Sequence, residues 1–88
     1  MQFMIVAYDG QDEGALNRRL AVRDSHIAGA IALKNAGNLI AGGAILDEAG
    51  RMIGSTTYVE FESRADLDNW LQQDPYVTGD VWRDITIT

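Results

Sequence analysis

One long helical pattern, with β-type segments on both sides, decides what this chain can become. From about Glu13 to Ala36, in "EGALNRRLAVRDSHIAGAIALKNA", Leu16, Leu20, Ile27, Ile31 and Leu33 supply an apolar stripe at helical spacing, and Lys34 then Gly37 mark its end. The preceding "QFMIVAY" carries apolar residues on both parities and closes at Asp9 and Gly10, as a strand covered on both faces would. After the helix come "NLIAGGAIL", the turn "DEAG" and "RMIGSTTYVEFE", which read as an antiparallel hairpin. A chain of 88 residues that commits this much to one helix has room for one domain, residues 1–88, with a single helical layer on a single sheet.

The second half repeats the alternation. Ser63 with Asp66 resembles a capping box, and Leu67, Trp70 and Leu71 form the apolar stripe of a short helix. Pro75 stops that helix, because a residue before proline is pushed out of helical geometry. "DPYVTG" then reads as a loop and "DVWRDITIT" as the last strand. The order strand, helix, strand, strand, helix, strand predicts the α+β class. It is the ferredoxin-like βαββαβ arrangement, a four-stranded antiparallel sheet with both helices on one face. Phe3, Ile5, Ile53, Val59, Phe61 and Val81 share the parities expected to face the helices. Met4, Val6, Tyr8, Met52, Tyr58 and Trp82 fall on the opposite, uncovered parities. An uncovered apolar face of this kind predicts self-association, a homodimer packed sheet against sheet.

Composition removes several functions. The absence of cysteine excludes disulfide scaffolds, thiolate zinc sites and cysteine nucleophiles, and a single histidine leaves little for a metal site. No glycine-rich turn or ligand set suggests a haem, flavin or nicotinamide, so no cofactor is expected. Thirteen acidic residues against seven basic ones give a net charge of -6, with one basic cluster at Arg18, Arg19 and Arg23. Neither nucleic acid nor a membrane is an expected partner of such a chain. "MQFMIVAYDG" lacks a basic start and a small-residue cleavage site, which makes the cytoplasm the expected location.

The lone histidine, His26, lies mid-helix, and the apolar stripe places it with Arg19 about a quarter turn to one side, at the border of the core. Gly29 on the same flank either gives the imidazole room or is a tolerated surface glycine. Ser55 and Thr57 share the parity of Val59, so their hydroxyls point toward the helical layer. Gly42 and Gly43 remove side chains from the adjacent strand, where glycine often marks a close approach by a ligand or another backbone. Asp74, fixed by the Asp-Pro bond at the end of the second helix, is a natural carboxylate partner for His26. A carboxylate on one ring nitrogen raises the basicity of the other and creates a general base. The pairing can equally be structural. Arg19 and Arg23 at the cleft mouth suit a planar anion, or serve as surface partners of Asp12, Glu13 and Asp24. Tyr76 can donate to a ligand or pack under its loop, and Ser55, lacking a local base, is a hydrogen-bond donor rather than a nucleophile.

"RLAVRDSHIAGA" with "AGG" downstream, "GSTTYVEF" and "QQDPYV" resemble the YciI-like (YCII-related) proteins over essentially the whole chain. That resemblance implies a dimeric ferredoxin-like fold of the dimeric α/β barrel type. Its shared histidine and aspartate, for which an enzymatic site has been proposed, map to His26 and Asp74. It also implies a reaction class: isomerisation, elimination or dehydrochlorination of a small anionic or phenolic compound. Arg19, Arg23, Gly43, Ser55 and Tyr76 are then the candidate substrate contacts. A dimeric module that binds or scaffolds a small molecule without transforming it is the alternative.

Overall fold

The computed structural model describes residues 1–88. In chain order it contains strand β1 (Gln2–Asp9), helix α1 (Ala15–Asn35), strands β2 (Leu39–Leu46) and β3 (Met52–Glu60), helix α2 (Arg64–Leu71), a one-turn helix α3 (Pro75–Thr78) and strand β4 (Trp82–Ile87). The sheet order is β2-β3-β1-β4 with every neighbouring pair antiparallel, which is the ferredoxin-like arrangement the element order predicts. No helix is long and apolar enough to cross a membrane.

The helix boundaries follow from local chemistry. Gly37 at φ 85° ends α1, with the Gly37 N–H donating to the Lys34 carbonyl and the Asn38 N–H to the Leu33 carbonyl. Ser63 Oγ accepts the Asp66 N–H at 3.1 Å and starts α2. The "DPYVTG" segment differs from the expected loop, because it contains α3. Asp74 is extended, with ψ 133°, as a residue before proline must be. Its carboxylate then accepts the Tyr76 N–H at 2.9 Å, so the break between helices also caps the next one.

Helix α1 turns a different face to the sheet than its apolar stripe predicts. Arg19 is buried, and Val22, His26, Ala30 and Leu33 continue the inward row at helical spacing. Leu20 and Ile31, expected in the core, are 50% and 56% exposed, and Ile27 is exposed beside them. The helix carries small and large apolar residues nearly all round, so hydrophobicity alone does not fix its rotation. Polar anchoring does: Arg19 reaches Asp9 on β1 and Ser55 on β3, while His26 reaches Asp74.

Two register irregularities correct the assignment of sheet faces. Between Tyr8 and Asp9 the partner on β4 jumps from Asp84 to Trp82, and Arg83 is the extra residue. An extra residue reverses side-chain parity beyond it. Trp82, expected on the open face, is therefore buried with Ala7, Tyr76 and Val81. Between Ile45 and Leu46 the partner jumps from Gly54 to Met52, and Met52 comes to line the cleft beneath α1 instead of the open face. Ile53, the extra residue there, is 37% exposed rather than in the core. In the second core cluster, Ile5 and Val59 follow the expected parities and Leu67 comes from the apolar stripe of α2. Met4, Val6, Tyr8 and Tyr58 do share the uncovered sheet face, where Tyr8 and Tyr58 are exposed.

Candidate functional site

A cavity of about 200 Å³ lies between α1 and the β2–β3 hairpin. Its helical wall is Arg19, Arg23, His26, Ile27 and Ala30; its sheet wall includes Gly42, Gly43, Ser55 and Thr57; and Tyr76 closes one side. All seven residues singled out from the sequence except Asp74 line it, and Asp74 lies directly behind His26.

His26 Nδ1 lies 2.8 Å from Asp74 Oδ1, with the two side chains 12% and 4% exposed. Because Oδ1 also accepts the Tyr76 N–H, the carboxylate is fixed by the same contact that caps α3. The imidazole stacks on the Tyr76 ring at 3.7 Å and 12° between planes, and meets the Trp82 ring edge-on at 5.6 Å. Ring position and plane are thus set from three directions. A carboxylate on Nδ1 places the proton there, leaving Nε2, which has no protein partner, as the acceptor of a residue lining the cavity.

Arg19 does not stand at the cleft mouth. Its Nη1 donates to both Asp9 oxygens at 2.9 and 3.0 Å, and both side chains are 3% exposed. Its Nη2 donates to Ser55 Oγ at 2.7 Å, and its guanidinium carbon sits 4.6 Å from the Tyr76 ring centre. Arg19 therefore braces the cavity with its charge already neutralised. Asp12, the surface partner considered for Arg19, is bound instead by Arg18 through two contacts of 2.7 Å. Arg23 forms no ion pair and supplies an uncompensated cation at the cavity.

Ser55 is buried, and its Oγ accepts from Arg19 and, at 3.2 Å, from Trp82 Nε1. Thr57, whose hydroxyl the strand parity turns inward, also lines the cavity although it is not among the expected substrate contacts. Its Oγ1 is buried without a hydrogen-bond partner in a residue that lines the cavity, a state that only the packed arrangement reveals. Gly43 lines the cavity with nothing near its missing Cβ, whereas a Cβ on Gly42 would meet Thr57 Cγ2 at 3.0 Å. Gly29 is exposed with open space around it, so it does not make room for the imidazole.

A wider groove of about 520 Å³ lies at the β1–α1 loop and the hairpin turn. It offers no comparable convergence of free groups. Arg18 hydrogen bonds hold the Asp12 carboxyl well below the usual range, and bonds from the Arg51 backbone and side chain lower that of Asp47. No cluster of three or more potential ligands is placed to hold a metal ion.

Burial raises the Tyr76 phenol above its ordinary value of 10.0, against the opposing pull of Arg19 and Arg23. In the unfolded chain the phenol ionises first. The contribution is therefore complete below pH 10.0 and is lost as pH rises through the folded value. Unfolding measured at about pH 9 and about pH 11 is expected to show a smaller alkaline loss of stability in Tyr76→Phe than in the parent. Equal losses would remove Tyr76 as the cause.

The sequence matches the YCII-related domain family across residues 1–88. Protein YciI of Escherichia coli O6:H1 is 33% identical, with 99% of this chain and 93% of that protein covered. Among solved structures, 5-chloro-2-hydroxyhydroquinone dehydrochlorinase (TftG) of Burkholderia phenoliruptrix, in complex with 2,5-dihydroxybenzoquinone, superposes with a TM-score of 0.86. It is 24% identical, and all of this chain and 91% of that one are covered. A dimeric protein of unknown function and ferredoxin-like fold from Bacteroides fragilis superposes with a TM-score of 0.57 at 16% identity, covering 99% of this chain and 91% of that one.

Proposed function

Because the chain belongs to the YCII-related domain family, we propose that it is a small enzyme that moves protons on a single-ring hydroxylated or carboxylated organic compound. The observation that carries this reading is His26, held through Nδ1 by the buried Asp74 and left with Nε2 free in a residue that lines a cavity. The volume fits such a substrate: an apolar cavity of about 150 Å³ takes up benzene, and drug-sized ligands need about 300 Å³ or more. Arg23 pairs with a carboxylate or phenolate at the rim.

The chemistry needs only proton transfers and a leaving group. Nε2 accepts a proton from a ring hydroxyl or from a carbon beside a carbonyl, and the freed electron pair forms the new C=O or C=C bond. In an elimination from a chlorinated ring, one hydroxyl proton is first delivered to the carbon that bears chlorine, which becomes tetrahedral as a C=O forms. Loss of a second hydroxyl proton then expels chloride with the C–Cl pair, so hydrogen chloride is lost and no oxidant enters. In an isomerisation, the proton returns at a different carbon. Asp74 stabilises the charge that forms on the ring meanwhile. The named activity of the Burkholderia neighbour, loss of chloride from a chlorinated hydroxyhydroquinone, is of the first kind. The deciding test is a panel of chlorinated hydroxyhydroquinones and phenolic lactones, followed by chloride release and ultraviolet spectra. Binding of these compounds with no turnover of any would make the protein a binding module instead.

The working unit in this reading is a homodimer joined through the uncovered sheet face that carries Met4, Val6, Tyr8 and Tyr58. Light scattering at micromolar concentration is expected to give a mass of about twice the 9.6 kDa of one chain. A monomeric mass would refute the arrangement.

A further inference from the structure

We infer that the Thr57 hydroxyl recognises an oxygen substituent on the ligand ring, so the substrate presents a hydroxyl or carbonyl to the sheet wall of the cavity. The inference rests on reading this cavity as a ligand site. Buried polar atoms in folded proteins nearly always have partners, since an orphaned hydroxyl destabilises the fold. Only two buried side-chain atoms here lack one, Arg19 Nε and Thr57 Oγ1, and both residues line the same cavity. Arg19 has three other hydrogen bonds. Thr57 has none. Its position is rigid as well, because it lies on the interior strand β3 between Ile5 of β1 and Gly42 of β2. The missing side chain at Gly42 admits the Thr57 methyl, for a Cβ there would stand 3.0 Å from Cγ2. A β-branched side chain with its methyl confined in this way has little freedom to turn its hydroxyl elsewhere.

A group retained for a ligand at the expense of the fold has a signature that a structural residue lacks: its removal moves stability and binding in opposite directions. Thr57→Val is expected to raise Tm by at least about 4 °C. It is also expected to weaken 2,5-dihydroxybenzoquinone about 10-fold in spectroscopic titration, equivalent to about 1.4 kcal/mol. Thr57→Ser, which keeps the hydroxyl, should bind within about 2-fold of the parent. A series of 2,5-dihydroxybenzoate, 2-hydroxybenzoate and benzoate locates the contact: the Thr57→Val penalty must vanish once the recognised oxygen is gone.

Unchanged affinity in Thr57→Val, or a lowered Tm, overturns the inference, as does failure of the parent to bind any member of the set. Binding that depends on Thr57 without turnover of any compound would leave the inference standing and remove the catalytic reading.

Discussion

Asp9→Asn is expected to destabilise the protein by about 3–5 kcal/mol, because it leaves the Arg19 guanidinium charged, buried and without its counter-ion. Folded domains have a margin of only about 5–15 kcal/mol, and at this size each kcal/mol moves Tm by about 4–8 °C. The single variant therefore melts far below the parent or does not fold at all. Arg19→Met strands the Asp9 carboxylate by the same logic and costs a similar amount. The informative variant is the double one, Asp9→Leu with Arg19→Met, which removes both charges. It is expected to recover much of the loss, since a buried pair contributes little net stability once both members are replaced by apolar groups. Urea unfolding of Asp9→Leu, Arg19→Met and the double variant decides the matter. Additive losses in the double variant would mean that each residue acts separately. The recovered double variant should still bind ligand poorly, because Arg19 also holds Ser55 and lies over the Tyr76 ring on which His26 stacks.

That ion pair also marks where sequence reading stops. The order of elements was legible because each boundary has a local cause: Gly37 after α1, the Ser63 cap, the Asp-Pro break. The rotation of α1 was not. Its row of large aliphatic residues argues for one face, but the helix settles on Arg19, Val22 and His26, whose partners lie on β1, β3 and the segment before α3. Hydrophobic periodicity carries no record of which distant carboxylate a cation will find. Parity failed for an equally local reason, since Trp82 and Met52 each sit just beyond one extra residue that reverses the strand. Thr57 was legible as a hydroxyl on the inner face. Its lack of a partner depends on everything packed around it.

Asp74→Asn is expected to lower kcat/KM by about 10²–10⁴ on whichever compound the screen identifies, with little change in fold. This carboxylate has two separable tasks. As the cap of α3 it accepts the Tyr76 N–H, and asparagine is as good a capping residue as aspartate. As the partner of His26 it supplies a negative charge 2.8 Å from Nδ1, and asparagine supplies none. The imidazole can stay in place on Tyr76 and Trp82, yet the charge it acquires on taking a proton is no longer balanced. His26→Gln should lose at least as much, and the double variant no more than His26→Gln alone, because Asp74 acts only through the ring. Imidazole nitrogen shifts give an independent reading: the parent should carry its proton on Nδ1, and Asp74→Ala should return it toward Nε2. If Asp74→Asn keeps full turnover, or the ring tautomer ignores Asp74, the pair is a packing contact and the base lies elsewhere.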